Sequence, residues 1–299
     1  MFSVLFSHGF FSSETVHTAL IVGGGAALVC GITGVFALIR GHAFAGHALS
    51  DISSAGGAAS FLLGINALAG FIIMALAGAA GIELSATRRS RERSLATGIV
   101  LSAGLGFSAL FLYFAVKHHN SSGATLSVMF GSVWTLPASI IPWILATGAA
   151  VLALLAMIWR PVLLCAIDPE LAVIRGVAVR RVGIMQLAAL ALAVALSSMT
   201  VGAILSTALL TGPAAIALKF ARSAATALII AALTGLLSVW FGVWLAWESF
   251  YWTNGQGWPV SFFIVGIIFI VWAASGVVSG LFSREKRLSG RLFRKKQHV

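Results

Sequence analysis

The sequence predicts an all-α integral membrane protein of about nine transmembrane helices, one of them short or broken, with one further short helix in a loop. Three observations carry this prediction. Of 299 residues, 60% are hydrophobic and 9% charged, against about 25% charged in a soluble domain. The mean hydropathy is +1.03. The apolar residues fall in runs of about 20 between clusters of charge, the length a helix needs to cross a bilayer. Composition therefore excludes an ordinary cytosolic enzyme, a disordered chain, a coiled coil and a disulfide scaffold. Cys30 lies in an apolar run, Cys165 reads as part of a basic loop, and no CxxC exists, so neither a disulfide framework nor a thiolate metal site is available.

The spans are read in order. The first, about 17–39, carries a stripe of small residues, Gly23, Ala27 and Gly31, which permits close helix packing. No Lys or Arg precedes it to form a basic n-region, so this span is expected to direct insertion itself. The second, about 42–64, holds His47, Ser50, Asp51 and Ser54. The third, about 66–87, ends at Glu83, read as a charge partner of Arg88 and Arg89. The fourth, about 95–116, leads into a loop containing His118 and His119, read as solvated, with a metal role at the outer mouth as the alternative.

The fifth and sixth spans cover about 138–158 and 182–201. The seventh, about 203–219, is short and contains Gly212-Pro213, where a break is tolerated if neighbours or water satisfy the freed backbone groups. The eighth and ninth, about 224–247 and 259–281, flank a cluster of Trp247, Phe250, Tyr251, Trp252 and Trp258, as an interfacial aromatic belt would. The chain thus divides into an extracytoplasmic segment 1–16, a membrane domain 17–282 and a basic tail 283–299.

Charge sets the orientation. Acids number 8 and bases 19, for a net +11. With nine spans, 18 of the 19 Lys and Arg residues fall on one side and only Lys117 on the other. The positive-inside rule then places the N-terminus outside and the tail in the cytoplasm. The surplus of base is topology rather than a nucleic-acid footprint, and the tail from Arg284 to Lys296 is suited to lie on anionic lipid.

Ionisable residues within spans are the informative ones, because a charge at the bilayer centre costs about 2.5–3.5 kcal/mol. His47 and Asp51 are four residues apart, hence on one helical face. Asp51 lies roughly 16 Å in from Arg40, near mid-membrane, and Ser50 and Ser54 widen the polar stripe. Imidazole with carboxylate suits zinc, manganese or ferrous iron, and the lack of nearby thiols argues against cuprous copper. The alternative is a His–Asp pair that satisfies itself in a packed bundle. Glu248 ends the eighth span within the aromatic belt, either drawing cations to an outer vestibule or standing as a solvated helix end.

The segment Asp168-Pro169-Glu170-Leu171 to Gly176 is the other unusual feature. Asp168 is a natural N-cap, Pro169 the favoured first helical residue, Glu170 complements the dipole and Gly176 ends the helix. This two-turn helix would expose Leu171 and Ile174, either to a partner or as a cap on the bundle. No catalytic set accompanies it: HExxH, GxSxG, a Walker motif and paired intramembrane aspartates are all missing.

Four segments recur in a familiar order. They are Ala43 to Asp51, Met129-Phe130-Gly131-Ser132, Asp168 to Val177, and Val201-Gly202 to Ala215. Together, over roughly residues 15–282, they resemble the membrane permeases of bacterial metal-ion ABC importers, the family handling zinc, manganese and iron. The resemblance implies a homodimeric permease of the bacterial inner membrane with a translocation path along the two-fold axis. It implies two cytosolic ATPase subunits and an extracytoplasmic metal-binding protein. ATP would then be bound and hydrolysed on the partner, with no cofactor on this chain and no enzyme activity of its own. Asp168, Pro169, Glu170, Leu171, Ile174 and Gly176 would form the helix that couples to the ATPase.

The family motif in the second span commonly reads Gly-Asp-Ala-Leu-Ser-His, with that Asp and His implicated in metal passage. Here the order is inverted, with His47 at the Asp position and Asp51 at the His position, and Ser54-Ala55 replaces the usual Leu-Pro. The resemblance implies alternating access past a ring of His47 and Asp51, with Ser50, Ser54 and Glu248 along the path. An ion-coupled secondary cation carrier without an ATPase is the alternative; it accounts for the pair but leaves the 168–176 helix idle.

Overall fold

Apolar runs in a membrane have no water to satisfy their backbone, so each closes its own hydrogen bonds as a helix. The computed structural model describes residues 10–85, 90–119, 122–131, 133–252 and 257–296, and among these the regular structure is helical throughout. A 3-10 turn at Phe10–Ser12 precedes α1 (Glu14–Ile39), α2 (Ala43–Leu63), α3 (Ala67–Ser85), α4 (Ser90–His119), α5 (Ser122–Phe130) and α6 (Ile141–Ile167). Then come α7 (Pro169–Ile174), α8 (Val179–Thr200), α9 (Ala203–Phe220), α10 (Ala224–Trp252) and α11 (Val260–Lys296).

Each of the nine anticipated spans coincides with one long helix. Eight of the described helices are long and apolar enough to cross a membrane. The ninth, α2, is too polar for that set, and its setting explains why: 14 of its 21 residues are buried. A helix rich in Ser, His and Asp survives at membrane depth when neighbouring helices, not lipid, meet its polar groups. Ser53 donates to the carbonyl of Phe71 on α3 at 2.9 Å, and Ser54 donates to Ser108 on α4 at 3.1 Å.

The small-residue stripe of α1 has a defined partner. A Cβ at Gly23 would meet Val239 Cγ1 at 2.9 Å, and one at Gly31 would meet the Ala231 carbonyl oxygen at 2.7 Å. The stripe is thus the seat of α10, brought to backbone contact as small residues allow. Together α1 and α8 form the buried centre of the bundle. The turn between α1 and α2 is tied to α8: Arg40 donates to Gln186 Oε1 at 2.9 Å, and Gln186 Nε2 donates to the Phe36 carbonyl at 3.0 Å.

Three details depart from expectation. The seventh span, α9, is short but runs unbroken through Pro213, which packs beside Gly235 where the missing side chain leaves room. The discontinuity instead precedes it, at Gly202, whose φ of +97° separates α8 from α9. Cys165, placed in a basic loop from sequence, is buried and helical, because α6 continues to Ile167. The stretch after α4 is not simply a loop, since it folds as α5, and Gly131 at its end meets the Gly202 turn backbone to backbone. Arg88 and Arg89 lie outside the described residues, as do the side chains of His118, His119 and the tail, although α11 continues through the basic tail to Lys296.

Candidate functional site

The i, i+4 spacing on α2 brings His47 and Asp51 face to face, with His47 Nε2 3.8 Å from Asp51 Oδ2. That is beyond hydrogen-bond range. It matches the edge of a coordination polyhedron: bonds of about 2.0–2.2 Å to N and O, at tetrahedral to trigonal angles, separate the two donors by roughly 3.4–3.8 Å. Asp51 is buried at 6% exposure, and among the described residues no hydrogen-bond donor reaches its carboxylate. Its carboxylate oxygens are not sealed in the bundle but open on the His47 side, where a carboxylate at membrane depth with no protein donor favours a cation.

The His47 side chain is 43% exposed, so the pair opens at the surface of the bundle. Its other ring nitrogen, Nδ1, is 3.0 Å from Thr207 Oγ1 of α9. Among the described residues no third His, Cys, Asp or Glu joins the pair. Among the described residues one chain therefore brings together one imidazole and one carboxylate, and a metal held there would need further donors such as water, hydroxyls, carbonyls or a second chain.

Ser50 and Ser54 line the same helix but are engaged elsewhere. Ser50 is fully buried, donates to the Ala203 carbonyl at 2.8 Å, and meets Ser198 at 3.0 Å and Ser206 more closely still. Ser54 bonds the Asp51 carbonyl at 2.7 Å and Ser108. Both hydroxyls knit α2 to its neighbours. Glu248 is half-buried in the last turns of α10 beside Trp247, which packs on Phe10 and Trp134 at ring distances of 6.0 and 6.3 Å. No described interaction joins Glu248 to the His47–Asp51 pair. A cavity of about 180 Å³ lined by Phe61, Phe71, Val128 and Met199 includes none of these residues.

Thr207 went unassigned in the sequence, although it lies inside the quoted segment Val201 to Ala215. Its signal is one hydroxyl among three, with Ser206 and Thr211, which is weak without knowing that α9 crosses α2.

The short helix α7 forms as its capping residues dictate. Asp168 is extended at φ −149°, and its Oδ1 accepts from the Glu170 and Leu171 N–H groups, each at 2.9 Å. Pro169 opens the helix, and Gly176 closes it at φ +77°, its N–H bonding the Val173 carbonyl at 3.0 Å. Ala172 is fully buried against the bundle, while Ile174 is 81% and Leu171 37% exposed. Val173 and Ile167 extend the exposed apolar side.

The comparisons with known proteins agree with one another. The ABC 3 transport family model matches residues 12–275. The chain is 28% identical over 238 residues to the manganese import system permease protein ScaB of Streptococcus parasanguinis, covering 80% of this chain and 82% of that one. It is 25% identical to the high-affinity zinc uptake system membrane protein ZnuB of Haemophilus influenzae, covering 78% and 88% respectively. Among solved structures, PsaBC from Streptococcus pneumoniae in complex with Fab superposes with a TM-score of 0.78 at 24% identity, covering 92% of this chain and 95% of that one. With a family model matched over residues 12–275, from the first long helix to the last, the chain belongs to the ABC 3 transport family.

Proposed function

We infer that this protein is the permease subunit of an ATP-driven importer that carries a divalent transition-metal ion, zinc, manganese or iron, across the bacterial inner membrane. The observation that carries this reading is the Asp51 carboxylate, which has no donor among the described residues and lies 3.8 Å from an imidazole nitrogen where the pair opens at the bundle surface. That donor set suits these metals. The names of the manganese and zinc relatives support the same cargo.

His47 stands half-open on one face of the bundle, so a closed path needs a second wall, which a second copy of the chain would supply. Two such chains would place two imidazoles and two carboxylates around the ion, with water completing the shell. Binding of that kind is weak enough for release, unlike a tight structural cage of four ligands. The exposed apolar side of α7 is suited to a cytosolic ATPase subunit, which holds and hydrolyses ATP and drives the change of access; this chain contributes no catalytic group. An extracytoplasmic protein delivers the metal on the side of the N-terminus, and the basic tail lies in the cytoplasm on anionic lipid.

The test is uptake of radioactive manganese and zinc by cells expressing the permease with its partner subunits, and elemental analysis of a strain lacking it. ATP-dependent accumulation that the deletion abolishes supports the reading. Accumulation by the purified permease alone, driven by an ion gradient, would replace it with a secondary carrier.

A further inference from the structure

We propose that Thr207 is the positioning residue of His47, its hydroxyl holding Nδ1 so that Nε2 is turned toward Asp51. This rests on the metal-site reading above. The argument starts from what threonines do in these helices. Thr33, Thr147, Thr200, Thr211 and Thr234 each turn the hydroxyl back to the carbonyl four residues earlier, at 2.7–3.0 Å. This is the ordinary way for a helical threonine to satisfy itself.

Thr207 does otherwise. The carbonyl four residues before it belongs to Ala203, and that oxygen already accepts from Ser50 at 2.8 Å and from Ser206 at 3.0 Å. With its local acceptor occupied, the Thr207 hydroxyl crosses to α2 and meets His47 Nδ1 at 3.0 Å. The buried serine cluster thus frees the threonine, the threonine fixes the ring, and the ring presents Nε2 on the Asp51 side.

A hydroxyl both donates and accepts. When Nε2 carries its hydrogen, Thr207 donates to Nδ1; when Nε2 gives its lone pair to a metal, Nδ1–H donates to Thr207. Ligating histidines are commonly oriented through their second nitrogen, and loss of such a partner costs about 10–100-fold in affinity. A hydroxyl that serves both tautomers suits a cargo that must bind and leave.

The experiment measures initial uptake of radioactive manganese and zinc against metal concentration, in cells expressing the full importer and normalised to folded permease. Thr207→Val should raise the half-saturating concentration about tenfold while the maximal rate and the folded amount stay within about twofold. Thr207→Ser, which keeps the hydroxyl, should match the parent protein. Ser50→Ala removes one of the two hydroxyls on the Ala203 carbonyl, leaving Ser206, so that Thr207 can compete for it, and should shift half-saturation in the same direction as Thr207→Val, by less. His47→Ala separates the two levels of the argument. If it transports normally, the metal-site reading itself fails. If it removes uptake while Thr207→Val behaves as the parent, or lowers only the rate or the folded amount, the site stands and the positioning role is overturned.

Discussion

Gly104 of α4 rests directly on the backbone of Asp51 in α2: a Cβ at Gly104 would lie 2.8 Å from the Asp51 carbonyl carbon and 2.5 Å from the Ile52 nitrogen. The acidic residue of the site is therefore held at the tightest part of a helix crossing, and backbone, unlike a side-chain tip, cannot swing away from an added methyl.

That crossing gives the first prediction. Gly104→Ala should destabilise the permease by about 1–3 kcal/mol, the range for overpacking, and lower the monodisperse fraction recovered in mild detergent. Gly106, which faces open space, is the control, and Gly106→Ala should leave recovery unchanged. Equal recovery for both variants would show that α4 does not seat on α2 in this way.

The second prediction concerns the ligand pair. His47→Ala and Asp51→Ala should each remove most metal uptake without lowering the amount of folded protein, since Asp51 has no packing donor to lose. The double exchange His47→Asp with Asp51→His restores the usual family order on one helical face. It should regain substantial uptake, with a changed preference between zinc and manganese. Normal uptake in both single variants would eliminate the site.

The third prediction addresses α7. Leu171→Asp with Ile174→Asp places charge on its exposed apolar side and should abolish transport and copurification of the ATPase, while membrane insertion stays normal. Ala172→Asp instead buries a carboxylate against the bundle and should lower folded protein as well. Asp168→Ala removes two capping bonds, worth about 1 kcal/mol, and should give a partial coupling defect. Retention of a stimulated ATPase by the double aspartate variant would contradict docking at α7.

The fourth prediction fixes orientation. The native cysteines, Cys30 and Cys165, are both buried, so they give little background with a membrane-impermeant thiol reagent. Gly123→Cys, at an exposed position of α5, should label in intact cells. Arg222→Cys, exposed between α9 and α10, should label only after permeabilisation. The reverse pattern would overturn the placement of the basic side in the cytoplasm.

What the sequence determined by itself was whatever depends on neighbours along the chain. Nine apolar runs became nine long helices because a backbone in lipid has one local way to satisfy itself. The 168–176 segment became α7 because the cap, the leading proline and the closing glycine act within two turns. His47 and Asp51 met because four residues make just over one turn of helix. Tertiary structure decided the rest. The Thr207 contact to His47 spans 160 residues, and that of Ser50 to Ser206 spans 156; no local pattern encodes which helix crosses α2 at that level. The same crossing turned Ser50 from a polar stripe into a helix–helix bond, and the break lies at Gly202, against the backbone of Gly131, rather than at Gly212-Pro213. Position along an apolar run states how deep a residue lies in the bilayer, whereas the partner of a buried hydroxyl is set by close packing between helices distant in sequence.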